Sequence, residues 1–203
     1  MQQATGTVGT NELSARLATK AASATDMLKK LKAKNLLNYE PYKVFHLTPE
    51  GNKVALDIIR RHRLWEYFLV ETLGFGWSEV HEVAEELEHV GSKKLIDKLD
   101  AFLDYPKFDP HGDPIPDING KMSSVPQVCL AELPIGKLAQ VTSVGSQSNE
   151  LLQLLSHKNI TLGTKLEMQA KFDFDKSVEV KVKDLQPITL SEQLTKVLFV
   201  KIL

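Results

Sequence analysis

"TNELSARLATKAASATDMLKKLKAKNLL" (residues 10–37), continued by "LLNYEPYKVFHLT" (36–48), decides the fold of the front of this chain. Thr10 or Asn11 can cap a first short helix through Leu13 and Leu17, because their side-chain oxygens accept from unpaired first-turn N–H groups. "TKAAS" (19–23) interrupts it. Ser23 can then cap a second helix that turns Ala24, Met27, Leu28 and Leu31 inward and leaves Lys29, Lys30, Lys32 and Lys34 mostly outward. Two β-prone runs flank Glu40-Pro41-Tyr42-Lys43, a hairpin signal. Helix, turn, helix and hairpin, in that order, make a winged helix-turn-helix, whose second helix enters the DNA major groove.

Working outward, a long helix is expected from about Pro49 to Leu73, broken by "GFGW" (74–77). "VHEVAEELEHV" (80–90) reads as a second helix and "SKKLIDKLDAFLD" (92–104) as a third, capped by Ser92. "YPKFDPHGDPIPDINGK" (105–121) carries four prolines and two glycines, so it reads as loop or linker. From Val125 the texture becomes short β-like runs: "LAQVTSV" (138–144), "KLEMQAKF" (165–172), "SVEVKV" (177–182) and "KVLFVKI" (196–202). One helix, "SNELLQLLSH" (148–157), interrupts them. The reading is an α+β multidomain chain: a winged helix over 1–50, a helical domain with a Pro-rich linker over 51–120, and a small β-barrel-like domain over 121–203.

Composition narrows the function. The 203 residues include 42% hydrophobic side chains, enough for ordinary cores. No apolar run approaches the ~18 residues of a membrane span, and no signal peptide opens the sequence. The single cysteine, Cys129, has no internal partner, which suits a reducing cytoplasm. Residues 1–63 hold 11 basic and 5 acidic side chains, whereas 64–203 hold 14 basic and 21 acidic. A basic front points to an anionic partner, and an acidic remainder to cations.

On a helix turning about 100° per residue, His81, Glu88, Glu85 and His89 fall at roughly 0°, −20°, 40° and 80°, one shared face. Val83, Leu87 and Val90 fall opposite. Such a face is either a solvated acidic surface or a ligand set, since imidazole and carboxylate are the usual donors for hard divalent ions. In "RRHRLWEYFLVETL" (60–73), His62 and Glu66 are i,i+4 neighbours on a mostly apolar helix, either a plain hydrogen-bonded pair or two more ligands. Six N/O donors without a thiolate favour Mn(II) or Fe(II) over structural zinc. Enzyme signatures are missing. "HEVAE" (81–85) lacks the second histidine of the zinc-peptidase motif, and "ELEH" (86–89) supplies the di-iron Glu-x-x-His only once. No P-loop, G-x-S-x-G or G-x-G-x-x-G occurs.

The segment "DMLKKLKAKNLLNYEPYKVFHLTPEGNKVALDIIRRHRLWEYFLVETLGFGWSEVHEVAEELEHV" (26–90), with "DPHGDPIP" (109–116) and a looser C-terminal match, resembles the diphtheria-toxin-repressor family of metal-dependent regulators. The resemblance implies a homodimeric transcriptional repressor of metal-homeostasis genes. Its winged helix binds operator DNA, its middle helices dimerise and hold metal, and its C-terminal domain is SH3-like. It further implies an ancillary metal site at His62, Glu66 and His81, completed by Gln147 and Glu150, and a regulatory site at Glu85, Glu88 and His89. Iron-type members resemble each other in carrying cysteine at position 85; glutamate here leans toward Mn(II). The family begins with a helix that supplies a further regulatory ligand; Met1-Gln2-Gln3 stands near the end of that helix, so either the helix lies upstream of this start or this member lacks it. On DNA, Lys29, Lys30, Lys32 and Lys43 are expected to neutralise phosphates, with Ser23, Thr25 and Asp26 at base or sugar contacts. A metal-buffering or metal-trafficking protein without operator binding is the alternative.

Overall fold

The computed structural model describes residues 9–40, 44–183 and 185–203, and the chain divides into two compact units, Met1–Ile58 and Ile59–Leu203. In the first unit, α1 (Thr10–Arg16) and α2 (Ala21–Ala33) precede β1 (Leu37–Asn38) and β2 (His46–Leu47), and α3 (Pro49–Glu71) begins. The two strands pair antiparallel, Leu37 against Leu47 and Asn38 against His46. Leu28, Leu37 and Tyr39 form the core, covered by Leu13, Phe45 and Leu47. This is the winged-helix order. Lys43 lies outside the described residues.

Three local expectations are corrected. Gly9 and Lys20, not Thr10, Asn11 or Ser23, occupy the N-caps of α1 and α2, and neither cap is a side-chain hydrogen bond. Ala18 takes a left-handed φ of 46°, which turns the chain early and starts α2 before Ser23. Met27 and Leu31 are exposed rather than inward; only Ala24 and Leu28 are buried on α2. The start of α3 has its own cap. Thr48 Oγ1 accepts from Gly51 N at 3.0 Å, donates to Asn35 O at 2.7 Å, and is followed by Pro49 in the first turn.

In the second unit, α3 continues to Glu71 and packs with α4 (Val80–Glu88) and α5 (Lys93–Phe102). Ser92 Oγ accepts from Leu95 N and caps α5, as its sequence foretold. Arg60 Nη2 reaches Asp100 Oδ2 at 2.7 Å and ties α3 to α5. Arg61 Nη1 donates to Glu88 O at 2.9 Å and closes the end of α4. The buried side of α4 is Val80 and Ala84, with Val83 and Leu87 half-buried and Val90 exposed. That face is rotated by roughly 60° from the expected Val83–Leu87–Val90 back, toward the carboxylates. The rotation carries His81 and Glu88 to the edge of the helix interface.

The proline-rich stretch is loop, but it is packed rather than slack. Ile115 joins the core of Leu64, Ile96 and Leu99, while Asp109 and His111 are buried. Beyond it, β3 (Val128–Cys129), β4 (Leu138–Val144), β5 (Lys165–Lys171), β6 (Val178–Val182), β7 (Ile188–Leu190) and β8 (Leu198–Ile202) form one antiparallel sheet in the order β3-β8-β4-β5-β6-β7. Bulges in β4 at Val141/Ser143 and in β5 at Met168/Ala170 bend it, and the result is the SH3-like architecture. Its apolar side buries Val141, Leu166, Met168, Val180 and Val200 against Leu152 and Leu155 of α6 (Asn149–His157). The last strand begins at Leu198 rather than 196, because Ser191 caps a short α7 (Glu192–Val197).

Gly112 joins the loop to this sheet. Its φ is +86°, and a Cβ there would lie 1.9 Å from Thr142 O. Gly112→Ala is therefore expected to lower stability by about 2 kcal/mol or more, read as a reduced urea midpoint.

Candidate metal centre

The centre begins with helix spacing. On α3, His62 and Glu66 stand one turn apart, and Glu66 is fully buried. Against them α4 sets His81 and Glu88. His62 Nε2 lies 3.0 Å from Glu66 Oε1 and 3.1 Å from His81 Nδ1, and His81 Nδ1 lies 3.1 Å from Glu66 Oε1. His62 Nδ1 completes the chain at 2.8 Å from Glu88 Oε2. Three donor atoms are thus mutually about 3 Å apart, yet a triangle of acceptors has too few protons to fill every edge. Three ligands held at right angles about 2.1 Å from an octahedral ion stand roughly 3 Å apart, the same spacing. The residues fit a dication.

A second group shares the other oxygen of Glu66. Glu66, Asp109 and His111 offer donor atoms within 4.8 Å of one another, all three residues buried. His111 Nε2 must donate, because it faces Trp77 O at 2.8 Å, so in the neutral ring Nδ1 keeps a lone pair. That Nδ1 lies 3.9 Å from Glu66 Oε2. Asp109 Oδ1 is taken by the N–H groups of His111 and Asp113, at 2.8 and 2.9 Å. Glu66 Oε2, Asp109 Oδ2 and His111 Nδ1 remain buried without a hydrogen-bond partner. Such orphans are costly in a folded interior, and three converging lone pairs call for a cation or a proton. Arg63 supplies some positive charge, 3.4 Å from Asp109 Oδ2 and 3.2 Å from Asp113 Oδ2.

The electrostatics agree. Burial alone would push Glu66 up, but hydrogen bonds from His62 and His81 hold it at about 2. Burial pushes His62 down, and Glu66 and Glu88 more than reverse this, raising it. Asp109 is raised to about 7, first by burial, then by Glu66 and Asp113, against Arg63.

Of the residues named from sequence, the structure brings together His62, Glu66, His81 and Glu88. Glu85 and His89 face solvent, and no group of three donors among the described residues includes them. Gln147 is half-buried and donates to Asp113 Oδ2 at 3.3 Å, while Glu150 is exposed in the first turn of α6. Asp109 and His111 were missed; an Asp-x-His inside a proline-rich loop was the available signal. On α2, Ser23, Asp26, Lys29 and Lys30 are exposed. Lys29 lies 3.9 Å from Asp26, Thr25 Oγ1 donates to Ala21 O, and Lys32 Nζ donates to Tyr39 O at 2.8 Å.

Since Asp109 holds a proton below about 7 and a ligand must be a carboxylate, Mn(II) affinity should fall as pH drops from 7.5 to 5.5. Calorimetric titration in buffers of differing ionisation enthalpy should show proton release, and Asp109→Asn should flatten the dependence.

Three family models match: an iron-dependent repressor N-terminal DNA-binding domain over residues 1–45, an iron-dependent repressor metal-binding and dimerisation domain over 48–117, and a FeoA domain over 128–202. The diphtheria toxin repressor of Corynebacterium efficiens is 30% identical over 165 residues, covering 75% of this chain and 71% of that protein. The iron-dependent repressor IdeR of Mycobacterium tuberculosis is 32% identical over 112 residues, or 53% of this chain and 49% of its own. A solved manganese-dependent transcriptional repressor in complex with manganese superposes with a TM-score of 0.88 at 32% identity, over 97% of this chain and 92% of its own.

Proposed function

The chain belongs to the diphtheria-toxin-repressor family of metal-dependent DNA-binding repressors, and we propose that its switch is the donor cluster centred on Glu66, filled by Mn(II) or Fe(II). It binds operator DNA as a homodimer and is not an enzyme; a metal-buffering role without DNA has no support beside the matched DNA-binding domain. No helix among the described residues is long and apolar enough to cross a membrane. A cytoplasmic location is part of the proposal.

The observation that carries the reading is the buried Glu66 carboxylate, facing two imidazoles with one oxygen and two buried donors without a hydrogen bond, Asp109 Oδ2 and His111 Nδ1, with the other. A bound dication supplies the positive charge that lets these lone pairs share one small volume. The protein's part is to hold the donors in place. His62 and Glu66 come from α3, His81 and Glu88 from α4, and Asp109 and His111 from the loop. Ions held by the His62–Glu66–His81 group and by the Glu66–Asp109–His111 group would tie the helices and loop together through the two oxygens of Glu66, while Glu88 orients His62 through Nδ1. In the proposal Glu85, Glu88 and His89 form a separate regulatory set on α4, and Gln147 and Glu150 complete the His62–Glu66–His81 group. The absence of thiolate among these donors favours Mn(II) or Fe(II).

The DNA contacts are read from α2. Ser23, Asp26 and Lys30 lie at i, i+3 and i+7 on one exposed face, with Met27 between them. Lys29, Lys30 and Lys43 neutralise phosphates. Lys32 shares its charge between Tyr39 O and the backbone of the duplex. Thr25, bonded within its own helix, and Ser23 serve sugar or base contacts. Met27 offers an apolar contact for a thymine methyl. A homodimer presents two such helices, and rigidity of the metal-bound core sets their separation against half-sites about one turn apart or a multiple. On α5, Leu95 and Phe102 are exposed apolar side chains suited to that dimer contact.

The test is an electrophoretic shift of an operator fragment selected from a random duplex pool. Binding should require added Mn(II) or Fe(II), disappear with chelator, and weaken steeply with salt. Glu66→Gln should cost at least about 100-fold in Mn(II) affinity and abolish the shift. Equal shift with excess chelator overturns the reading.

A further inference from the structure

Trp77 precedes α4 in a segment that belongs by sequence to the helical region, yet it packs against the core of the C-terminal sheet. Its indole lies parallel to the His111 ring, with centroids 6.0 Å apart and planes within 19°. Its carbonyl accepts the Nε2–H of His111 at 2.8 Å. Its own Nε1–H donates to Ser156 Oγ on α6 at 2.9 Å, and that hydroxyl donates onward to Leu152 O. Leu152 is fully buried in the sheet core. His111 makes a second link, because its carbonyl accepts from Val144 N of β4 at 3.1 Å. The neighbouring Gly112 has no room for a side chain against Thr142 O.

We propose that Trp77 is the positioning residue that transmits occupancy of the Glu66–Asp109–His111 donor group to the C-terminal domain, clamping α6 and β4 when His111 is engaged. The inference rests on the metal-centre reading. The physical argument is the tautomer of His111. A ring that uses Nδ1 as a ligand must carry its proton on Nε2, and that proton is the one given to Trp77 O. Ligation at Nδ1 therefore holds Trp77 in the orientation in which Nε1 reaches Ser156. Linkage requires the reverse as well: if engagement of His111 tightens the clamp, an intact clamp tightens ion binding.

The experiment is amide hydrogen exchange on the full chain, with and without Mn(II), beside equilibrium dialysis of Mn(II). Wild type, Ser156→Ala, Ser156→Thr and Trp77→Phe are compared. In the wild type, Mn(II) is expected to slow exchange in α6 and β4 as well as in α3 and α4. Ser156→Ala and Trp77→Phe should lose most of the Mn(II)-dependent slowing in α6 while keeping it in α3 and α4, and should bind Mn(II) about 5-fold more weakly. Ser156→Thr, which keeps the hydroxyl, should restore both. A purely structural Trp77 would change exchange equally with and without Mn(II), and that result overturns the proposal. So does wild-type slowing confined to α3 and α4 at full Mn(II) binding. If dialysis detects no Mn(II) on the wild type, the metal centre itself fails and the relay falls with it.

Discussion

A single buried carboxylate organises the middle of this molecule. Glu66 is removed from water, and an isolated carboxylate in that position would cost several kcal/mol. Its two oxygens are therefore served separately: Oε1 by His62 and His81, Oε2 by whatever occupies the space toward Asp109 and His111. Three segments distant in sequence must converge for this, namely α3, α4 and the loop around residue 110. The helical block is arranged around keeping that charge satisfied.

The protein's own groups satisfy it incompletely, and the pH behaviour of the cluster follows from the signs of the shifts. His62, raised above its usual value, contributes stability that is full below its unfolded pKa and is lost as pH rises through the folded one. Glu66, lowered to about 2, contributes stability above its unfolded value that is lost only as pH falls from about 4.5 toward 2. Asp109 works in the opposite sense. Its folded pKa of about 7 means that the folded state loses stability as pH rises from about 3.8 toward 7. Near neutrality Asp109 is gaining its charge, and as pH climbs further, through the raised pKa of His62, the cluster moves toward excess negative charge. A site under that stress is poised to take a cation.

Much of this was legible in the sequence, and the limits of legibility have physical causes. Helix periodicity placed His62 with Glu66 and put His81 beside Glu88, since spacing along a helix fixes angular position. Four of the six sheet strands followed from β-like runs, with the short β3 and β7 left out, and Ser92 announced its helix as a cap. The rotation of α4 was not legible. Ala84 is too small to advertise itself as buried and the pattern favours Val90, yet the packing chooses Val80 and Ala84 and swings Glu85 and His89 outward. Asp109 and His111 were hidden for another reason. Proline-rich composition signals loop conformation correctly, but says nothing about whether a loop is solvated or folded into a core. Nor did alternation reveal α7, whose helix interrupts a run that reads as strand.

Donor spacing bears on metal choice in a way that donor identity alone does not. Nitrogen and oxygen ligands bind Mn(II) more weakly than Fe(II), Cu(II) or Zn(II), so a site that works with Mn(II) must discriminate by geometry. Tetrahedral ligands about 2.0 Å from zinc stand roughly 3.3 Å apart, whereas right-angled ligands about 2.1 Å from an octahedral ion stand roughly 3.0 Å apart. The edges among His62, Glu66 and His81 are 3.0, 3.1 and 3.1 Å. The His62–Glu66 edge is set within α3, and the two edges to His81 by the packing of α4 against it. Cys129, the one thiol in the chain, is withheld, bonded to Thr195 O within the sheet domain. An all-nitrogen-and-oxygen donor set at these spacings then suits hard and borderline dications such as Mn(II) or Fe(II).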